Sequence, residues 1–267
     1  FDGTALTCAE ASIDGLVDGE TAIVAATGSL TDAGESANTY SIEWGTAQEG
    51  NYTITDDLGE LVVTKRPVTI TAKSEGFTYD GQAHSNAGYD VKGLVGDDAV
   101  SAVVAGSITF PTESPVANKV TSYEFTAGTP GNYSVTTEDG ELSMANASRA
   151  ITITAASASK AYDGSALTAP GVEVTSGELF SGDRLVAEAA GSASDVADTK
   201  AGNNPVKAGY KVMHGDVDVT GNYVITAQAG TLTITPKSAT VKTGSASKGF
   251  DGTALTCAEA SIDGLVE

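Results

Sequence analysis

The sequence predicts a mainly β chain: a tandem array of small β-sandwich-like domains, Ig-like or β-grasp-like, forming an elongated rod. Three observations predict it. Segments rich in Thr, Val and Ile alternate their side chains with period two, as in "RPVTITA" from Arg66 and "RAITITA" from Arg149. An ordered set of short motifs recurs at spacings of about 78, 83 and 88 residues. No segment holds an apolar face at helical spacing for three turns. The nearest, "RLVAEAAGSASDVAD" from Arg184, is weakened by Gly191, and a short helix in this variable middle is the one helical element the sequence leaves room for.

Each unit starts with a leading strand, followed by an aromatic-Asp-Gly motif: Phe1-Asp2-Gly3, Tyr79-Asp80-Gly81, Tyr162-Asp163-Gly164 and again Phe250-Asp251-Gly252. A Gly follows at Gly15, Gly93, Gly177 and Gly264, then Gly19-Glu20, Gly96-Asp97 or Gly182-Asp183, then a Gly-Ser pair at Gly28, Gly106 and Gly191. After a stretch of variable length comes Gly-Asn-Tyr, at Asn51-Tyr52, Asn132-Tyr133 and Asn222-Tyr223, with a further Gly at Gly59, Gly140 and Gly230. The blocks "NYTITDDLGELVV", "NYSVTTEDGELSM" and "NYVITAQAGTLTI" read as two strands around a Gly-bearing turn. Such a hairpin sets Tyr52 and Ile54 across from Leu61 and Val63.

Four segments result. Residues 1–65 are a first repeat lacking its leading strand, 66–147 a second, 148–236 a third, and 237–267 carry the leading strand and start of a further one. Residues 250–266 repeat residues 1–17 letter for letter, which implies a longer super-repeat. No Gly/Ser-rich linker separates "LVVT" from "KRPVTITA", so neighbouring domains have little freedom to hinge. The tail carries the strand that the first repeat lacks. The sequence therefore predicts an open sheet edge near Phe1, to which the segment after Pro236 of another copy adds head to tail.

The net charge is −21, with 35 acidic and 14 basic side chains, which disfavours nucleic acid and anionic membrane faces as partners. No run of about 18 apolar residues offers membrane insertion. Any export or anchoring signal is expected outside this stretch of chain.

The order of alternating strand, "YDG" with "ALT", "GL" then "GD", and "GNY.IT...G.LTI" resembles the MBG-type and YDG-type repeat domains found in tandem in large bacterial surface proteins. The resemblance covers the chain unit by unit. It implies an extracellular, cell-surface location and a stalk or adhesin role, with neighbouring repeats or copies of the same protein, and host or neighbouring-cell surface molecules, as partners.

The candidate sites are few. The aromatic-Asp-Gly motif and the Asn of Gly-Asn-Tyr read as turn and packing residues, since Asp-Gly and Asn form turns. His84 and His214 lie in different repeats and no Ser sits in a nucleophile elbow, so catalysis has no residue set and no cofactor is expected. Asp56-Asp57, Asp97-Asp98 and Asp216 with Asp218 offer oxygen ligands for calcium, without EF-hand spacing. Lys160 and Lys248 are candidates for an isopeptide bond, although the second repeat has Phe77 at that place. Cys8 and Cys257 occupy one motif position in two copies and are not an intradomain pair. The reading that follows is a non-catalytic surface stalk or adhesin region. Its alternative is a glycan- or mucin-binding module with its site in the variable mid-domain loops, where "DAGESANTYSIEW" and "TKAGNNPVKAGYKVM" differ most.

Overall fold

The computed structural model describes residues 1–266. The chain divides into two compact units, one of Phe1–Phe77 with Ala83–Met144, the other of Thr78–Gln82 with Ala145–Glu267. Both are built from small β sheets, and the only helical turns among the described residues are short 3-10 turns. The stretch from Arg184 forms the strand Asp183–Val186 and a 3-10 turn, Val196–Asp198, in place of a helix.

In the second repeat the leading strand Arg66–Ala72 lies in the middle of a three-stranded sheet. It runs parallel to Tyr133–Glu138, with Arg66 opposite Tyr133, and antiparallel to Tyr89–Lys92, with Thr69 opposite Lys92. Alternation turns Val68, Ile70 and Ala72 inward, all of them buried. Val68 and Ile70 form a core with Tyr133, and Phe1, Val91, Val100 and Phe125 pack around it. Each fully buried side chain of this kind contributes roughly 1.5–3 kcal/mol. The third repeat uses the same plan: Arg149–Ala155 lies between Val172–Ser176 and the parallel strand Tyr223–Gln228, Arg149 stands opposite Tyr223, and Ile151 and Ile153 are buried.

The expected hairpin does not form. Tyr133–Glu138 joins the leading strand, whereas Gly140–Ala145 pairs with Val116–Ala127 in a different sheet. Tyr223–Gln228 and Leu232–Thr235 are separated in the same way, the latter running parallel to Ala158–Ala161. In the first repeat Glu60–Val63 pairs with Gly34–Ala37, so Leu61 and Val63 do not face Tyr52 and Ile54. Alternation is identical in a hairpin and in a chain that crosses between two sheets; the glycine tells them apart. A Cβ on Gly140 would lie 2.5 Å from the Lys73 carbonyl oxygen, and one on Gly230 2.2 Å from that of Ala156. The crossing passes hard against the end of the leading strand, where only glycine fits.

One side chain ties each leading strand to its repeat. Asn118 donates from Nδ2 to the carbonyls of Lys73 and Asn86, both at 2.8 Å, and Asn204 donates to those of Ala156 and Ala169, both at 2.8 Å. Both asparagines are fully buried. In the first repeat Asn38 makes one such bond, to Cys8 O at 3.0 Å, and is only half-buried.

Removing this bridge strands two buried carbonyls, at about 1–3 kcal/mol each. Asn118→Ala and Asn204→Ala are therefore expected to cost about 2–4 kcal/mol apiece in urea unfolding of the full chain, and Asn38→Ala less than half as much.

Candidate functional site

The landmarks that recur along the sequence meet in space. The tyrosine of each Gly-Asn-Tyr clasps the acidic turn of its own repeat: Tyr52 donates to Glu20, Tyr133 to Asp98 Oδ2 at 2.5 Å, and Tyr223 to Asp183 Oδ2 at 2.5 Å. Each phenol oxygen also accepts a backbone N–H, from Val17, Val95 and Phe180 at 3.1, 3.1 and 2.8 Å. In the second repeat the clasp falls on Asp98 rather than on Asp97, the residue next to the glycine.

The aromatic-Asp-Gly motif serves the repeat that follows it. Phe1 meets Tyr133 edge-on at 5.5 Å between ring centroids. Tyr79 packs edge-on against Phe180 at 5.4 Å, and its hydroxyl donates to Asp183 Oδ1 at 2.7 Å. The motif loop of the second repeat, residues 78–82, accordingly belongs to the compact unit of the third. His214 Nδ1 lies 2.8 Å from Asp183 Oδ1, so that two phenols and an imidazole converge on a carboxylate with no exposed side-chain surface. Burial and the hydrogen bond to Asp183 push both phenols, Tyr79 and Tyr223, well above the ordinary tyrosine value. Tyr133 is raised for the same reasons, with Asp98 as its acceptor.

The remaining motif residues form local turns. Asp2, Asp80, Asp163 and Asp251 each accept the backbone N–H two residues on, at 2.9, 2.9, 2.9 and 3.0 Å. Gly81 and Gly164 carry positive φ in these turns. Tyr162 lines a small groove with Pro236, Leu265 and Val266. Asn51, Asn132 and Asn222 each close a 3-10 turn. Two of them reach back to the preceding repeat: Asn132 accepts from Ala33 N at 2.7 Å and donates to Asp32, and Asn222 accepts from Ala147 N at 3.1 Å.

Residues 2–62 match the family model of the MBG domain (YGX type). Over that stretch the first repeat is similar to an MBG domain of the YGX type. No curated protein and no solved structure matches the chain.

The first repeat differs from the two later repeats at one place. A groove of about 880 Å³ separates residues 10–14 from residues 53–59, the segments whose counterparts flank the leading strand elsewhere, and Ile13, Val24, Ile42 and Ile54 line it. Because the leading strand is central in its sheet, the feature is a gap between two segments and not the open edge that the sequence predicts.

The acidic pairs do not converge. Asp56 accepts from Tyr40, Asp98 from Tyr133, and Asp218 from Thr220 and Lys211, which hold its carboxyl down to about 2. Asp57, Asp97 and Asp216 are exposed, and among the described residues no group of three or more His, Cys, Asp or Glu is placed to hold a metal ion. Lys160 and Lys248 bond to Asp163 and Asp251 within their own turns, at 2.7 and 2.9 Å. Cys8 and Cys257 are free and exposed.

Tyr79 and Tyr223 hold their protons more tightly folded than unfolded. Their contribution is therefore complete below the unfolded value of about 10 and is lost as pH rises from there toward the raised folded values. Thermal melts should fall steeply above about pH 10, with tyrosinate absorbance appearing together with unfolding. Tyr79→Phe should cost about 1.5–3 kcal/mol at neutral pH, the range for a hydrogen bond to a charged group, and should flatten that alkaline decline.

Proposed function

We propose that this chain is a non-catalytic repeat region of a bacterial surface protein, a stalk that projects or contributes to adhesion. The observation that carries the reading is where the recurrent residues go. The clasp tyrosines and their acids are spent on closing their own repeats, and the motif aromatics Phe1 and Tyr79 on packing against the repeat that follows, a use that suits a spacer. Trp44, the one Trp, is stacked on Tyr52 at 5.9 Å between rings, so one of its faces is used in packing its own repeat. In this reading the repeats form a semi-rigid rod, consistent with joints that lack Gly/Ser linkers. Copies join head to tail by strand addition, and the surface partners are host or neighbouring-cell molecules outside the cell.

Small-angle scattering of the full chain tests the stalk. For serial β units placed end to end the maximum dimension should exceed roughly 100 Å. A globular profile near the size of a single compact domain would end the reading.

A further inference from the structure

The second repeat presents a sheet edge of a kind that β proteins ordinarily guard. The strand Ala99–Ala105, "AVSAVVA", is the outermost strand of its sheet, and among the described residues it pairs on one side alone, with Val116–Ala127. It carries neither charge nor proline, the usual means of keeping such an edge from recruiting a further strand. None of its seven residues is buried, and Val103 is 57% exposed. The pair has two bulges, and both lie in the inner strand. Ala99 and Val100 stand opposite Ala127 and Phe125, and Val103 and Val104 opposite Ser122 and Val120, so the extra residues are Thr126 and Thr121. The outer strand keeps an unbroken alternation.

The third repeat guards the same place. From the clasped acid to the glycine of the Gly-Ser pair the two later repeats are equal in length, Asp98 to Gly106 and Asp183 to Gly191. Arg184 then falls at the place of Ala99, and Glu188 at the place of the exposed Val103. A charge in the middle of the strand is a common protection of an edge, and the second repeat lacks it.

The direction of the backbone groups sets the pairing that this edge can accept. Thr121 Oγ1 donates to the Val103 carbonyl at 3.1 Å, so the main chain of Val103 faces the inner strand. By alternation the N–H and C=O groups of Val100, Ala102 and Val104 face outward. The Val100 carbonyl meets the Tyr89 hydroxyl at 3.4 Å and has a second lone pair to offer. We propose that this edge pairs antiparallel with the same edge of a second copy of the chain, about a two-fold axis through Ala102. Val100 then stands opposite Val104 of the second copy and Ala102 opposite its own equivalent, so the three outward-facing residues of each strand exchange both backbone bonds. Ala99 meets Ala105, and Ser101 meets Val103 on the outer face: the strand reads nearly the same in both directions, and each side chain finds one of similar size.

Charges beyond the strand favour the same orientation. Lys119 is exposed and stands opposite Ala105, and Asp97 is exposed two residues before Ala99. Antiparallel pairing brings the Asp97 end of one copy to the Lys119 side of the other. Parallel pairing would set two Asp97-Asp98 ends together. The contact is isologous and closes at two copies, unlike head-to-tail addition, and it does not depend on that reading.

The test is hydrogen exchange followed by NMR on the full chain, dilute and at about 1 mM, where even a weak contact of this kind is populated, with light scattering alongside. Two variants accompany it. Ala102→Pro removes an N–H that faces outward, a place where an edge strand tolerates proline. Val103→Lys puts a charge on the exposed face, where the third repeat has Glu188. The amides of Val100, Ala102 and Val104 should exchange at least tenfold more slowly in the concentrated chain, as the molar mass rises toward two copies. Both variants should weaken association at least tenfold, and Val103→Lys should do so with the melting temperature unchanged. Exchange at the three amides that is the same at both concentrations overturns the proposal, whether the chain stays monomeric or associates elsewhere, as head-to-tail addition alone would have it. Association of undiminished strength in both variants overturns it as well. Protection that appears at these amides together with those of Ala22–Ala26 assigns the edge to the first repeat of the second copy and overturns the two-fold pairing.

Discussion

Each complete repeat depends on one insertion: a strand that enters first in sequence and ends in the middle of a sheet. Arg66–Ala72 and Arg149–Ala155 are hydrogen-bonded on both sides, and the inward-facing Val68, Ile70, Ile151 and Ile153 supply the centre of the core. Placement is controlled by backbone contacts as much as by apolar burial. Asn118 and Asn204 grip the strand's last carbonyls from inside, where an unpaired amide or carbonyl is costly. Gly140 and Gly230 let the returning chain cross directly over them. Apolar residues determine that a strand goes there, and the asparagine and glycine determine where it stops.

A second dependence links repeats to one another. The clasp of a Gly-Asn-Tyr tyrosine on its acidic turn leaves a ring face that the aromatic of the previous motif covers, as Phe1 does for Tyr133. In the third repeat the same place holds Tyr79, Phe180, Tyr223 and the buried Asp183, with Arg149 stacked over Phe180 at 3.7 Å. Sequence period and packing period are therefore out of phase: the word that opens one repeat completes the interior of its successor. Phe250 is fully exposed, although its seventeen-residue context is that of Phe1.

Much of this was legible in the letters. Alternation located the leading strands Arg66–Ala72 and Arg149–Ala155, and Asp-Gly turns lie where Asp80 and Asp163 accept backbone N–H groups two residues on. What was not legible is pairing. A period of two cannot distinguish a hairpin from a chain that leaves one sheet for another, and the distinguishing contact, Gly140 on Lys73, is with a residue far away in sequence. The bridging asparagines were hidden for a different reason: Asn38 and Asn204 fall inside the stretches whose lengths vary most, so the recurrence of an Asn ten to thirteen positions after the Gly-Ser glycine is masked by insertions.

The parallel pairing has a consequence for tension. In the third repeat the early strands Arg149–Ala155 and Ala158–Ala161 run parallel to the late strands Tyr223–Gln228 and Leu232–Thr235. A pull applied at the two chain ends of such a repeat draws parallel neighbours past one another along their length, so the hydrogen bonds of a pair resist together instead of opening one after another from an end. An antiparallel hairpin at the same ends would unzip. This arrangement loads the third repeat in shear, by the direction in which the chain enters and leaves it.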